Sequence, residues 1–339
     1  MNLLSKDDVV AALEHKRPKR VPMHLMHYYN DITVQKYSDG IKTLRIEYPE
    51  DVVRGGYVRS DWDSLKNGSR GDEGALDSRI ILESYDGIEE TCKKIVRLAE
   101  KVDMTAAGDT RLDHPNRYCL GYTWFGLYER LWMLRGMENV LVDFYEHPDE
   151  IRKLMRAICD YHLHLIRSYG GLGYDGVSIS DDLGTQSSTM FGPGIFLDFY
   201  KPLYRELFEA AHDFGMHMWM HSCGHVESIL DDLIDAGLDV IHPIQHSTYP
   251  GGISANDPRR IAERFSGRIT FWAGIDVQYL LPRGTVDEVR RGVRELMNIF
   301  DGPDGGMVIA AGNGITPETP FENIEAFFDE AYSYGQFKS

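Results

Sequence analysis

The feature that most constrains this chain is a rhythm that starts near residue 118 and runs to the end. Short apolar runs at 118–122, 176–179, 216–220, 240–244, 269–273 and 307–311 alternate with longer stretches of helical periodicity at 149–169, 196–214, 226–236, 286–300 and 321–334. Gly215 and Gly237 stand just past two of these helical stretches, as glycine does where a helix stops. Strands separated by helices predict parallel pairing through right-handed crossovers. Six such strands, an earlier one at 21–25 and one unplaced make eight. The expected architecture is a TIM-like (β/α)8 barrel with an N-terminal helical extension and a long excursion before the third strand. A single domain over 1–339 accommodates it. The first strand is not followed by Gly-x-Gly-x-x-Gly, which argues against a dinucleotide fold. The extension opens with Ser5 and Asp8 in capping-box spacing. The segment 30–115, rich in Asp, Gly and Tyr and including the polar stretch 66–77, reads as a loop over the barrel mouth.

Composition narrows the function classes. A net charge of −17 opposes a phosphate backbone, so nucleic acid is not an expected partner. No apolar run is long enough to span a bilayer. The first residues lack a basic segment followed by an apolar one, so a secretory signal is not expected. Cys92, Cys119, Cys159 and Cys223 are far apart in sequence, which suits reduced thiols and a cytoplasmic setting. Cys92 and Cys159 fall on apolar helical stripes and read as core.

Barrel enzymes carry their chemistry just past the C-terminal ends of the strands. Those positions hold His24 and His27 after the first strand, and Asp181, Asp182 and Gln186 after the fourth. His221 and Cys223 follow the fifth, and His242, Gln245 and His246 the sixth. Asp276 and Gln278 follow the seventh, and Asn313 the eighth. Imidazole and thiolate are both good zinc ligands, and His221-x-Cys223 puts one of each on a short loop. The alternative is a core cysteine at a helix start beside a hydrogen-bonded histidine. Adjacent carboxylates point different ways, so one of Asp181 and Asp182 can face the mouth while the other caps a helix. A mouth-facing carboxylate would bind a cation, position substrate or move a proton.

Several segments together resemble the uroporphyrinogen decarboxylase superfamily: Asp181-Asp182-Leu183-Gly184-Thr185-Gln186, Tyr200-Lys201-Pro202-Leu203, His221-Ser222-Cys223-Gly224-His225-Val226, and the run from Asp231 to Val240. Arg20-Val21-Pro22 and the run from Thr316 to Ile324 extend the likeness to both ends. The resemblance implies a TIM-like barrel. The decarboxylase branch carries an arginine-rich motif after the first strand, for a substrate with many carboxylates. Here that stretch is Pro22-Met23-His24-Leu25-Met26-His27-Tyr28-Tyr29, with no arginine. The other branch, zinc-dependent methyltransferases acting with a corrinoid (cobalamin) on a partner protein, is matched at His221 and Cys223. Its later cysteine is replaced by Asn313. The resemblance therefore implies zinc held by His221 and Cys223 and completed by Asn313, His246 or a carboxylate such as Asp182. Asp182, Gln186 and His242 are the expected catalytic residues, and His24, His27, Asp181 and Gln245 the expected substrate contacts. Losing one thiolate leaves more positive charge on zinc, which favours activation of an O- or N-methyl donor. A metal-free decarboxylase and a non-catalytic binding barrel are the competing readings.

Overall fold

The computed structural model describes residues 2–25, 31–55, 62–65, 80–302 and 304–336. Its strands are β1 (Val52–Arg54), β2 (Tyr118–Phe125), β3 (Gly176–Ser180), β4 (His217–His221), β5 (Val240–His242), β6 (Thr270–Ile275) and β7 (Met307–Ala311). They lie side by side in chain order, and every neighbouring pair is parallel. Residues 21–25 complete the cylinder. On one side the Ile309 N–H donates to the Pro22 carbonyl at 2.9 Å, and the His24 N–H donates to the Ile309 carbonyl at 3.0 Å. On the other side the Asp51 N–H donates to the Met23 carbonyl at 2.8 Å. This segment therefore bridges the last strand and the edge of the first, as the eighth stave of a TIM-like barrel.

A buried ion pair holds that seam. The Arg20 guanidinium grips both oxygens of Asp51 at 2.6 and 2.7 Å, and the same carboxylate accepts the N–H groups of Leu4 and Met23. A bidentate arginine with every carboxylate oxygen engaged is the arrangement that offsets the cost of burying two charges.

The unplaced strand is β1, and it lies inside the stretch expected to be loop. That stretch also forms the helices Asp31–Lys36, Ser38–Glu47, Ile88–Glu100 and Thr105–Asp113. The helix Ile88–Glu100 packs along the 24-residue helix Pro148–Gly171. The polar stretch 66–77 lies outside the described residues. The expected helix over 196–214 opens as a π-turn, Phe196–Tyr200, before the α-helix Lys201–His212. Pro202 has no N–H to give to the preceding turn, which accounts for the change of pitch there.

Side chains alternate in and out along each strand. Those pointing into the barrel include Tyr118, Trp219, Val240, Trp272 and Val308, which form a separate apolar cluster. Trp219 and Trp272 meet edge to face, with centroids 5.1 Å apart. One layer nearer the mouth the inward positions turn polar. His221 pairs in register with His242, and Trp272 sits beneath both His24 and His242 at 5.1 and 4.4 Å between ring centroids. A tryptophan floor thus carries a layer of imidazoles. No described helix is long and apolar enough to cross a membrane.

Candidate metal centre

His221 is the last residue of β4, and Cys223 lies two positions on, at the mouth. Asp182 follows β3, the neighbouring strand. The donor atoms of Asp182, His221 and Cys223 all lie within 4.8 Å of one another. His221 Nε2 is 3.3 Å from Cys223 Sγ and 3.4 Å from Asp182 Oδ1. Zinc bonds of about 2.0–2.3 Å in a tetrahedron place neighbouring donors roughly 3.3–3.8 Å apart. The nitrogen–sulfur and nitrogen–oxygen separations therefore match two edges of a zinc-sized tetrahedron.

The loop backbone fixes this geometry. The Cys223 N–H donates to Asp182 Oδ1 at 2.8 Å, tying the two loops together. Gly224 has φ 79°, and a Cβ there would meet the Gly184 backbone at 2.3 Å, so the close approach of the β3 and β4 loops needs glycine at this position. Behind His221, His242 Nε2 lies 2.9 Å from the Ala311 carbonyl, and the two Nδ1 atoms are 2.6 Å apart. A carbonyl only accepts, so His242 carries its proton on Nε2 and its Nδ1 accepts from His221. That hydrogen bond leaves His221 Nε2 as the atom that faces sulfur and carboxylate, the arrangement that orients a metal-binding imidazole.

Electrostatics support the same reading. Burial alone would depress His221, but the Cys223 sulfur and the Asp182 carboxylate override it and push the imidazole up to about 10. Burial likewise raises Asp182, and its bonds to His221 and the Cys223 N–H outweigh this and hold it below the usual carboxylate value. Burial, together with the positive His221, keeps His242 neutral. The triad therefore attracts positive charge: a proton at Nε2, or a cation that displaces it.

The structure corrects several expectations. Asp181 does not face substrate. It is fully buried and accepts the N–H groups of Tyr128 and Glu129 at 3.0 and 2.9 Å and the Tyr204 hydroxyl at 2.5 Å. It thus caps the helix Leu127–Arg135 from the neighbouring strand. His246 is not in the triad, because its Nδ1 is turned onto the Ile244 carbonyl at 2.7 Å. Asn313 lies beside the triad, against Cys223. Its oxygen accepts the Gly314 N–H at 2.7 Å, and its Nδ2 donates to Cys223 Sγ at 3.4 Å. His242 stands behind His221 rather than in the mouth. His24 is buried inside the barrel, bonded to Glu50 and, at 2.8 Å, to the Tyr122 hydroxyl. Gln186 is exposed on the turn after Thr185 and is absent from the lining of the cleft described below. His27 lies outside the described residues.

A small cleft of about 60 Å³ adjoins the triad, lined by Cys223, Gln245, His246, Asp276, Gln278 and Asn313 with apolar and glycine neighbours. Gln245 reaches it after Ile244, whose φ of 56° is unusual for a β-branched residue. Its Oε1 then accepts the Gly224 N–H at 2.8 Å.

Sequence reasoning missed Glu129, which is 4% exposed and hydrogen-bonded to Ser180 at 3.1 Å. Burial, with Asp182 and Asp181 close by, raises its carboxyl well above the ordinary range and favours its protonated form. A carboxyl raised on folding favours the fold below its unfolded pKa, and that contribution fades as pH climbs toward the folded value. Glu129→Gln should therefore be near neutral for stability in mild acid. It should then gain on the wild type by up to about 1.4 kcal/mol per pH unit above the usual glutamate range. Urea melts across pH check this. A constant difference would mean that Glu129 is ionised. The signal available in sequence was a charged pair, Glu129-Arg130, inside an otherwise apolar helix start.

A closed parallel barrel with an N, S and O donor set at its C-terminal mouth defines the class: a TIM-barrel protein with a candidate metal-binding triad. The chain belongs to the uroporphyrinogen decarboxylase (URO-D) family, whose pattern matches residues 131–334. Among curated relatives, the uroporphyrinogen decarboxylase of Schizosaccharomyces pombe is 23% identical over 202 residues, which are 56% of this chain and 51% of that protein. The methylcobamide:CoM methyltransferase MtaA of Methanosarcina barkeri is 26% identical over 165 residues, 48% of this chain and 43% of that one. The aligned regions thus span about half the length of the curated relatives. A solved methyltransferase from Methanosarcina mazei superposes with a TM-score of 0.65 at 17% identity, over 98% of this chain and 99% of that one, a likeness of fold.

Proposed function

We propose that this chain is a zinc-dependent methyltransferase that moves a methyl group between a small O- or N-methyl substrate and a corrinoid carried by a partner protein. The observation that carries the reading is the convergence of His221 Nε2, Cys223 Sγ and Asp182 Oδ1 within 4.8 Å of one another beside an open cleft. Asp182 would supply the third donor in place of the family's later cysteine, whose position Asn313 occupies.

When bound, zinc would polarise the heteroatom that carries the methyl group, making it a better leaving atom. The chain's own residues do the rest. His242 orients His221. Asn313 donates to the Cys223 sulfur and moderates its negative charge. Gln245 and Gln278 border the space where the substrate's polar end would lie. The described lining of the cleft contains no lysine or arginine, which is a poor match for the polycarboxylate that the decarboxylase reading requires.

The direct test is incubation of the zinc-loaded chain with cob(I)alamin and a panel of O- and N-methyl compounds. Methyl transfer to cobalt, read by its absorbance change, is the expected result. No transfer from any member, with zinc bound, would overturn the reading; carbon dioxide release from an acid substrate would replace it with the decarboxylase.

A further inference from the structure

His246 is a buried imidazole that the proposed reaction leaves unused. It is 6% exposed, lines the cleft beside Cys223 and Asn313, and gives its Nδ1 to the Ile244 carbonyl. A carbonyl cannot donate, so the proton sits on Nδ1 and Nε2 keeps a lone pair. Among the described residues that Nε2 has no hydrogen-bond partner. Burial is the main reason the ring stays uncharged, lowering its pKa.

The other polar groups of the cleft complete a pattern. Asp276 is a carboxylate with its oxygens taken up by the N–H groups of Gln278, Tyr279 and Leu280 and by the Ser247 hydroxyl. Gln245 donates to Gln278 Oε1 at 3.3 Å, which leaves the Gln278 amide nitrogen as a donor. No cation is among the lining residues, and Asp276 adds negative potential.

We propose that this cleft is the subsite for the polar end of the substrate, and that His246 Nε2 accepts a hydrogen bond there from a hydroxyl or amine of the ligand. The inference rests on the methyltransferase reading and narrows its substrate. The compound carries an O–H or N–H group near its methylated heteroatom and is uncharged or cationic. Anionic methyl donors are disfavoured, because no lining residue pairs with them and the Asp276 carboxylate repels them. A fully alkylated donor would cover this acceptor without pairing it, and a polar group buried unpaired on binding weakens affinity.

The test uses the whole chain, labelled with 15N-histidine, metal-free and zinc-loaded. The His246 Nε2 resonance is assigned by its loss in His246→Gln. Three probes of similar size are titrated: 2-methoxyethanol, 1,2-dimethoxyethane and methoxyacetate. The expected result is a saturable upfield shift of Nε2 with 2-methoxyethanol alone, and about 3- to 10-fold tighter binding of that probe than of dimethoxyethane. In His246→Asn, which keeps a donor for the Ile244 carbonyl, that preference should disappear. An equal response to dimethoxyethane, tighter binding of methoxyacetate, no movement of Nε2 with any probe, or an unchanged preference in His246→Asn would each overturn the inference. Should His246→Asn not fold, the three-probe comparison on the wild type decides alone. Zinc separates this result from the underlying reading. If zinc leaves the affinity for 2-methoxyethanol unchanged while Nε2 still responds, the metal-centred reaction falls and the subsite stands.

Discussion

Metal-free chain dialysed against zinc should take up about one ion, and Cys223→Ser or Asp182→Asn should each weaken that binding by about 100-fold or more. Four-ligand zinc sites are worth about 10–16 kcal/mol, so one protein ligand accounts for about 3 kcal/mol, which is two powers of ten. The variants should rank by role. Loss of a donor atom at His221, Cys223 or Asp182 should cost most. His242→Phe should cost about 10- to 100-fold, because it removes the acceptor that aligns His221 without touching the metal. Asn313→Ala should cost least, since it only donates to the sulfur. Chelator competition on each purified variant gives the order. If Asn313→Ala proved as damaging as Asp182→Asn, the assignment of the oxygen ligand would be wrong.

Zinc affinity should also climb steeply with pH. His221 holds a proton up to about 10, where the Cys223 sulfur and the Asp182 carboxylate sustain it. A cation at Nε2 must displace that proton, so the apparent association constant should rise about tenfold per pH unit below that value, or about 100-fold from pH 6 to pH 8. The direction follows from the shift: a raised histidine pKa means that the metal-free site is protonated at neutral pH, and acid favours the proton over the metal. Proton release measured during zinc titration in two buffers gives the stoichiometry directly. A flat profile between pH 6 and pH 8 would place the cation elsewhere.

Much of this protein could be read from its residues. The alternation after residue 118 carried the barrel because each run was long and apolar enough to show its period, and the helices 286–300 and 321–334 end where the pattern ends. β1 was not legible. It has three residues, Val52, Val53 and Arg54, too few to display an alternation, and it owes its place to pairing with β2. His221 and Cys223 stood out because they close a strand. Which of Asp181 and Asp182 faced the mouth was undecidable locally, since the answer depends on the N-terminus of a helix more than fifty residues earlier in the chain, which Asp181 caps. His246 followed the right strand, but the left-handed backbone at Ile244 redirects the chain in a way that residue spacing does not reveal. The inward position of His242 was recoverable from strand parity. It shares the phase of Val240, as His221 shares that of Trp219.

The seam of the cylinder bears on how the molecule comes to exist. Residues 21–25 are made long before one of their two neighbours, Ile309. On the ribosome that stretch must wait, half-partnered, until the intervening strands and helices and Ile309 have emerged. Closure over so long a separation is entropically costly and slow. A nascent chain stalled before residue 307 would present an open edge to its neighbours, the condition under which unfinished barrels associate and need a chaperone.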